Sequence, residues 1–387
     1  MREAQLDRQR IRRRRKRRRK RRRRLFFRTL FSLLFFGTIL LGGIRIVSRL
    51  PQSDPPVSGL SYAVADIKPE AYLSDGRIQD IPTDREETVS VETVSAETAS
   101  VETASGETAS AETADRPYAP LVDLTQLNLN SSCAILTDAE TGEILGEHNG
   151  QEQIYPASLT KLMTALLAIE HTSDFSETVT VPDSIFPDLY AQNASMAGFQ
   201  PGETASLEDL LYGVLLPSGA ECSLTFALRI AGSEEAFVGL MNEKAAALGM
   251  EHTHFANATG LHDPEHYSTV HDLSLLLRFC LQDETFRTVF TTFRHSTAPS
   301  AQHPDGFTFF STLSPDLEEG VFSGGEILGG KTGYTQEAGL CLASLAQIQG
   351  REYLLVTAGA PGDHQSDPLH VRDAAEVYGQ LALSLER

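Results

Sequence analysis

Hydrophobic and polar positions divide the chain into three regimes. Thr29–Ile44 is apolar or small throughout and is flanked by Arg28 and Arg45. A helix of that length spans roughly 24 Å, short of a bilayer core about 30 Å thick. Leu25–Phe27 and Ile46–Val47 extend the run, and the flanking arginines can snorkel. The pattern predicts a transmembrane signal-anchor over residues 25–47. From 48 to 117 apolar residues thin out. Pro51, Pro55, Pro56 and Pro82 interrupt the chain, and a Glu-Thr-x-Ser-x repeat starts at Glu87, Glu92, Glu97, Glu102, Glu107 and Glu112. Such a segment cannot bury enough surface to offset its ordering entropy, so a disordered acidic stalk is expected.

Residues 118–387 carry the periodicities of a folded domain. Cys133-Ala134-Ile135-Leu136, a turn at Asp138-Ala139-Glu140-Thr141-Gly142, and Glu143–Glu147 read as a β-hairpin. Ser158–His171 reads as an amphipathic to buried helix. A strand signal follows at Thr178–Val181. Ser206 caps a helix over Leu207–Leu216 that stops at Pro217-Ser218-Gly219. A second helix runs from Ala220 to Ala231 and ends at Gly232, and Ser233 caps a third that ends at Gly249. Thr269-x-x-Asp272 opens another, through Leu281. Gly339–Gln347 and Glu352–Gly359 are strand-like, and Ser366–Glu386 reads as a closing helix. Strands at both ends with helices between predict an α/β (α+β) fold, one antiparallel sheet built from both chain ends around an inserted helical region.

Charge sharpens the division. Residues 1–24 hold 16 of the 33 Lys+Arg, and the chain after position 49 carries 14 basic against 50 acidic residues, a balance of −36. A body this acidic is not a nucleic-acid binder. The basic run beside the apolar segment marks a cytoplasmic tail, placing the body on the extracellular face of the membrane. A cleaved signal peptide is the competing reading, but Ala63-Val64-Ala65 lies too far beyond the apolar run for an ordinary cleavage site. Cys133, Cys222, Cys280 and Cys341 are widely spaced and form no C-x-x-C. They read as separate buried thiols, with disulfides open for an extracellular body. No residue pattern points to a metal or a cofactor.

Candidate chemistry begins at Ser158-Leu159-Thr160-Lys161. Three residues apart on a helix, Ser158 and Lys161 share a face. A lysine with a lowered pKa can take the serine proton, and free helix N–H groups can hold an oxyanion. Alone the pair reads as well as a cap and a surface charge. It gains weight from Ser218 at a helix break, where the hydroxyl can relay a proton. Further support comes from Gly330-Lys331-Thr332-Gly333, where a cation sits by a strand between glycines that let a substrate backbone approach. Lys331 beside Lys161 is expected to lower the pKa of Lys161. Thr332 and Thr335 can donate hydrogen bonds to a substrate carboxylate.

With these motifs the chain resembles the low-molecular-mass penicillin-binding proteins that are serine-type D-alanyl-D-alanine carboxypeptidases, peptidase family S11. The resemblance covers about Leu121 to Ala375. Its residues include Tyr155–Ala165, Leu216-Pro217-Ser218-Gly219, Phe255-x-Asn257-Ala258-Thr259-Gly260-Leu261-His262-Asp263 and Gly330–Thr335. It implies a penicillin-recognising serine-hydrolase (β-lactamase-like) fold. It implies Ser158 as acylated nucleophile, Lys161 as general base and Ser218 in the proton relay. Lys331, Thr332, Gly333, Thr335 and Arg372 would bind the substrate carboxylate, and the N–H groups of Ser158 and of the strand near Thr335 would form the oxyanion hole. Peptidoglycan stem peptides are the implied substrates and β-lactams the implied inhibitors. A penicillin-binding but catalytically weak binder and a β-lactamase or endopeptidase on the same fold are the alternatives.

The chain departs from the family pattern in three ways. Position 220 is Ala where the second motif normally has Asn, with Glu221 next to it on a helix and expected to point elsewhere. Only a helix follows the last strands, so the C-terminal β-rich domain of many relatives is expected to be missing. The membrane tether is expected at the N-terminus.

Overall fold

The computed structural model describes residues 120–386. The expected tail (1–24), anchor (25–47) and stalk (48–117) lie outside the described residues. Among the described residues no helix is long and apolar enough to cross a membrane.

The sheet joins the two ends of the described chain. Its strands are β1 (Cys133–Asp138), β2 (Ile144–His148), β7 (Gly325–Thr335), β8 (Gly339–Ile348) and β9 (Arg351–Ala360). They lie in the order β2-β1-β9-β8-β7, with every pair antiparallel. The β1–β2 hairpin forms where expected, with Thr137 facing Ile144. β1 then pairs along its length with β9, Cys133 opposite Ala358 and Asp138 opposite Tyr353.

Side chains alternate across a strand, and here both faces are covered. Cys133 and Ile135 of β1, Cys341, Ala343 and Leu345 of β8, and Leu354 and Val356 of β9 face one core, shared with most of the helices. Ala134, Leu136, Leu342, Ala346, Tyr353 and Leu355 face the other, covered by Val371, Ala374, Val377, Tyr378 and Leu381 of the C-terminal helix, Leu369–Leu385. This double burial is why β1 reads as an uninterrupted apolar run rather than an alternating one.

The helical region lies between β2 and β7 in sequence. Helix α1 (Lys161–Glu170) is buried on nearly every side, from Lys161 through Ala168. Strand β3 (Thr178–Thr180) forms where the strand signal lies, and a short helix that the sequence pattern does not show follows it, α2 (Phe186–Ala191). Strand β4 (Thr204–Ser206) pairs with β3. Helix α3 (Leu207–Leu215) starts at Ser206, whose hydroxyl accepts the Asp209 N–H at 3.0 Å. Helix α4 (Ala220–Ala231) ends at Gly232, left-handed with φ 79°. Helices α5 (Glu234–Ala247), α6 (Val270–Cys280) and α7 (Glu284–Phe290) complete the layer. Strands β5 (Arg294–Ser296) and β6 (Thr308–Phe310) form a hairpin ahead of β7.

Two local expectations change. The Ser158 helix opens as a 3-10 turn over Ala157–Thr160, and the α-helix begins only at Lys161. Pro156 and a left-handed Ala157, φ 47°, set this tight entry. Lys331 lies inside a long strand rather than ahead of one. Its neighbours Gly329, Gly330 and Gly333 weaken the strand signal by composition, while the ladder to β8 holds them.

Candidate active site

Ser158 sits midway along the 3-10 turn, half-buried, with its hydroxyl oxygen accepting a hydrogen bond from Lys161 Nζ at 3.3 Å. Lys161 Nζ also donates to the carbonyl oxygen of Thr259. Lys161 is 2% exposed. Burial lowers its pKa to about 8, against a smaller upward pull from Glu221. Desolvation of the ammonium causes this lowering, rather than Lys331, the expected cause.

The loop that supplies Thr259 is organised by one amide. Asn257 Oδ1 accepts from the Thr259 N–H at 3.1 Å, the Gly260 N–H at 2.7 Å and the Thr259 hydroxyl at 3.1 Å. Its Nδ2 donates to the Leu261 carbonyl at 2.9 Å. Gly260, left-handed at φ 77°, lies against Ala157, and a Cβ there would stand 2.0 Å from the Ala157 carbonyl oxygen. Only a residue without a side chain lets the loop press against the turn that carries Ser158.

His266 supports that turn from beneath. Its Nδ1 accepts the Ala256 N–H at 3.0 Å, so Nε2 carries the proton and donates to the Thr160 hydroxyl at 2.6 Å. Thr160 passes the bond to the Ala157 carbonyl at 2.8 Å. Burial lowers the His266 pKa to about 4, and the ring is neutral at ordinary pH.

Strand β7 is an edge of the sheet and forms the facing wall. At Gly333 a Cβ would stand 3.1 Å from the Ser158 nitrogen and 3.3 Å from the Ala157 Cβ, so this glycine lets the strand meet the turn. Lys331 is fully buried, with Nζ donating to the Thr332 carbonyl at 2.6 Å. Its pKa is pushed well down, first by burial and then by Lys161. The Thr332 hydroxyl donates to that of Thr312 at 2.6 Å, and the Thr312 N–H donates to Leu216 at 2.9 Å. β7 is thereby tied to the Pro217-Ser218 turn. Ser218 lies in that turn with φ 67°, buried, its hydroxyl without a hydrogen-bond partner among the described residues.

Ser158, Lys161, Lys331, Thr332 and Gly333 therefore converge on one region, with the Ser218 turn joined to it through Thr312 and Leu216. Thr335 lies at the end of β7, where its hydroxyl accepts the Ala338 N–H at 3.1 Å. Arg372 does not join the group. It sits on the helix covering the opposite face of the sheet, paired with Glu319 at 3.2 Å and Asp367 at 3.1 Å.

Several contributors were missed from sequence. Thr160 stands between Ser158 and Lys161 and His266 between Glu265 and Ser268, so polar neighbours conceal the buried hydrogen bonds that both carry. Asn257 reads as a turn residue, and Thr312 carries no signal at all. Glu221, expected to point away, turns inward and is fully buried. Ala220 beside it is 1% exposed. The four cysteines are free and buried, as separate thiols.

Residues 121–362 match the family model described as D-alanyl-D-alanine carboxypeptidase, Peptidase_S11. The chain belongs to this family. Among its relatives, D-alanyl-D-alanine carboxypeptidase DacF of Bacillus subtilis is 32% identical over 240 residues, 61% of this chain and 59% of that protein. A D-alanyl-D-alanine endopeptidase of Pseudomonas aeruginosa is 30% identical over 256 residues, 65% of this chain and 77% of that protein. The chain thus spans about three fifths of the length of DacF. Among solved structures, the Streptomyces K15 DD-transpeptidase superposes with a TM-score of 0.59 at 26% identity, over 66% of this chain and 98% of that one. The penicillin-recognising architecture of the family is the one the sheet and inserted helices build here.

Proposed function

We propose that the protein is a serine-type D-Ala-D-Ala carboxypeptidase that removes the terminal D-Ala from peptidoglycan stem peptides. The observation that carries this reading is the bond between buried Lys161 and the Ser158 hydroxyl. A serine hydroxyl facing a neutral lysine is an activated nucleophile.

In this reading Lys161 takes the Ser158 proton as Oγ bonds to the carbonyl carbon between the two D-alanines. N–H groups at Ser158 and on β7 near Thr335 hold the oxyanion. The C–N bond breaks, and the departing amine of D-Ala receives the proton through the Ser218 hydroxyl. Water then cleaves the Ser158 ester and releases the shortened peptide. Lys331 and Thr332 hold the terminal carboxylate, whose charge favours the ammonium form that burial disfavours in the free protein. β-Lactams acylate the same oxygen. Arg372 contributes to the carboxylate site only if it leaves Glu319 and Asp367.

The N-terminal sequence supports a membrane-tethered form, with residues 1–24 inside, 25–47 as anchor and 48–117 as stalk. The stalk would hold the catalytic domain in the wall outside the membrane.

The test uses full-length protein in detergent with a fluorescent penicillin and diacetyl-Lys-D-Ala-D-Ala. Labelling and D-Ala release are expected, both lost in Ser158→Ala. Labelling without release would make the protein a binder, consistent with Ala at position 220. Rapid destruction of the antibiotic without stable labelling would make it a β-lactamase. Neither labelling nor release would overturn the catalytic reading.

A further inference from the structure

Ser218 is held in a conformation that a non-glycine residue avoids. A left-handed backbone is unfavourable at such a residue, and persists only where its surroundings over-determine it. Three backbone bonds brace the turn. The Gly219 N–H donates to Gly213 and the Ala220 N–H to Ser195, both at 2.8 Å, while Leu216 accepts from Thr312 at 2.9 Å.

A fourth brace is a side chain. Glu221 is fully buried on the first turn of α4. One carboxylate oxygen, Oε1, accepts the N–H of Ala197 at 2.7 Å and of Gly198 at 2.9 Å. The other, Oε2, is buried without a hydrogen-bond partner among the described residues. The segment it grips presses on Gly219, where a Cβ would stand 2.7 Å from the Ala197 Cβ and 3.0 Å from the Ala197 nitrogen. Release of Ala197 and Gly198 therefore frees the residue next to Ser218. Burying a carboxylate is costly unless hydrogen bonds offset it, and these two bonds go to the segment that braces the turn.

We propose that Glu221 is a positioning residue for Ser218, its carboxylate fastening the Ala197–Gly198 backbone across Gly219 so that the Ser218 hydroxyl keeps its place. The inference rests on the reading that Ser218 takes part in proton transfer. It also gives the second motif a support at a position where the neighbouring residue, Ala220, offers no polar side chain.

A double-mutant cycle in the full chain tests it, reading the second-order rate of acylation by fluorescent penicillin per molecule labelled at saturation. This rate is blind to a simple loss of folded protein. Ser218→Ala alone should slow acylation about 10²-fold. Were it unchanged, the role of Ser218 itself would fail, which is distinct from failure of the inference. Glu221→Ala alone should slow acylation by roughly 10–100-fold, and by less than about 3-fold in the Ser218→Ala background, because residues acting as a unit are non-additive. Equal losses in both backgrounds, or no loss in the first, would overturn the proposal. If Glu221→Ala does not fold, Glu221→Gln carries the same cycle. It keeps one acceptor oxygen but loses the charge that strengthens both bonds. A several-fold loss confined to the Ser218 background supports the proposal, and an equal loss in both backgrounds, or none in either, overturns it.

Discussion

The carbonyl of Thr259 accepts a hydrogen bond from the Nζ of Lys161, and so a loop remote in sequence holds Lys161 against Ser158. Asn257 shapes that loop through four hydrogen bonds. Asn257→Ala should lower the penicillin acylation rate about 10–100-fold, the scale of a displacement near 1 Å at a reacting group. Stopped-flow labelling at matched active-site content measures it, and an unchanged rate would remove this loop from the support of Lys161.

Lys161 must be neutral to accept a proton, and burial brings its pKa to about 8. Below that value the ammonium prevails and kcat/KM should fall about tenfold per pH unit. Above it the rate should level off. D-Ala release followed from pH 6 to 10 gives the profile, and a flat line through pH 6–9 would count against Lys161 as base. Lys161→Arg keeps a cation that does not deprotonate, and should cost about 10²–10⁴-fold.

Acid should weaken the fold through His266 and His370, both buried and both with pKa lowered from 6.5 to about 4. Above pH 6.5 each is neutral folded and unfolded, and contributes nothing. Between 6.5 and 4 the unfolded chain takes up the proton first, so stability declines, and the loss is complete below 4. Each displacement corresponds to about 3 kcal/mol. Urea unfolding of wild type and His266→Gln at pH 7 and pH 4.5 checks it. The stability gap between them should shift in favour of the variant as pH falls, and a constant gap would refute the assignment.

Two left-handed glycines offer a matched comparison. Gly260→Ala places a Cβ 2.0 Å from the Ala157 carbonyl oxygen, whereas Gly232→Ala meets nothing within 4 Å. Gly232→Ala should cost only about 1 kcal/mol of backbone strain and spare acylation. Gly260→Ala should cost more than that and slow acylation about 10²-fold, because it displaces the nucleophile turn. Thermal melting with labelling of both variants distinguishes them, and equal behaviour would deny the close packing.

Much of this architecture is legible along the chain, for reasons that differ by element. Ser206 and Ser233 announce helix starts because a capping hydroxyl answers a local need. Gly232 and Gly249 announce helix ends through their left-handed backbone. Ser158, Ser218 and Lys331 stand out along the chain by spacing and resemblance. What escaped was whatever depends on contacts across the chain. The strand through Lys331 is glycine-rich and exists because β8 pairs with it. The inward turn of Glu221 depends on a segment more than twenty residues earlier. Arg372 fits a family pattern, but the carboxylates around it appear only after folding.

The central pairing of β1 with β9 also has a consequence in time. The strand lying second in the sheet is among the first made, and its partner is among the last. Such long closures are slow, since their entropy must be met before the contacts form. During synthesis, Ser158 and Lys161 emerge well before the strand carrying Lys331, and β1 waits longer still for Arg351–Ala360. The site is therefore incomplete until the last strands are made, and a copy truncated before the final hairpin would display Ser158 and Lys161 without the strand that faces them.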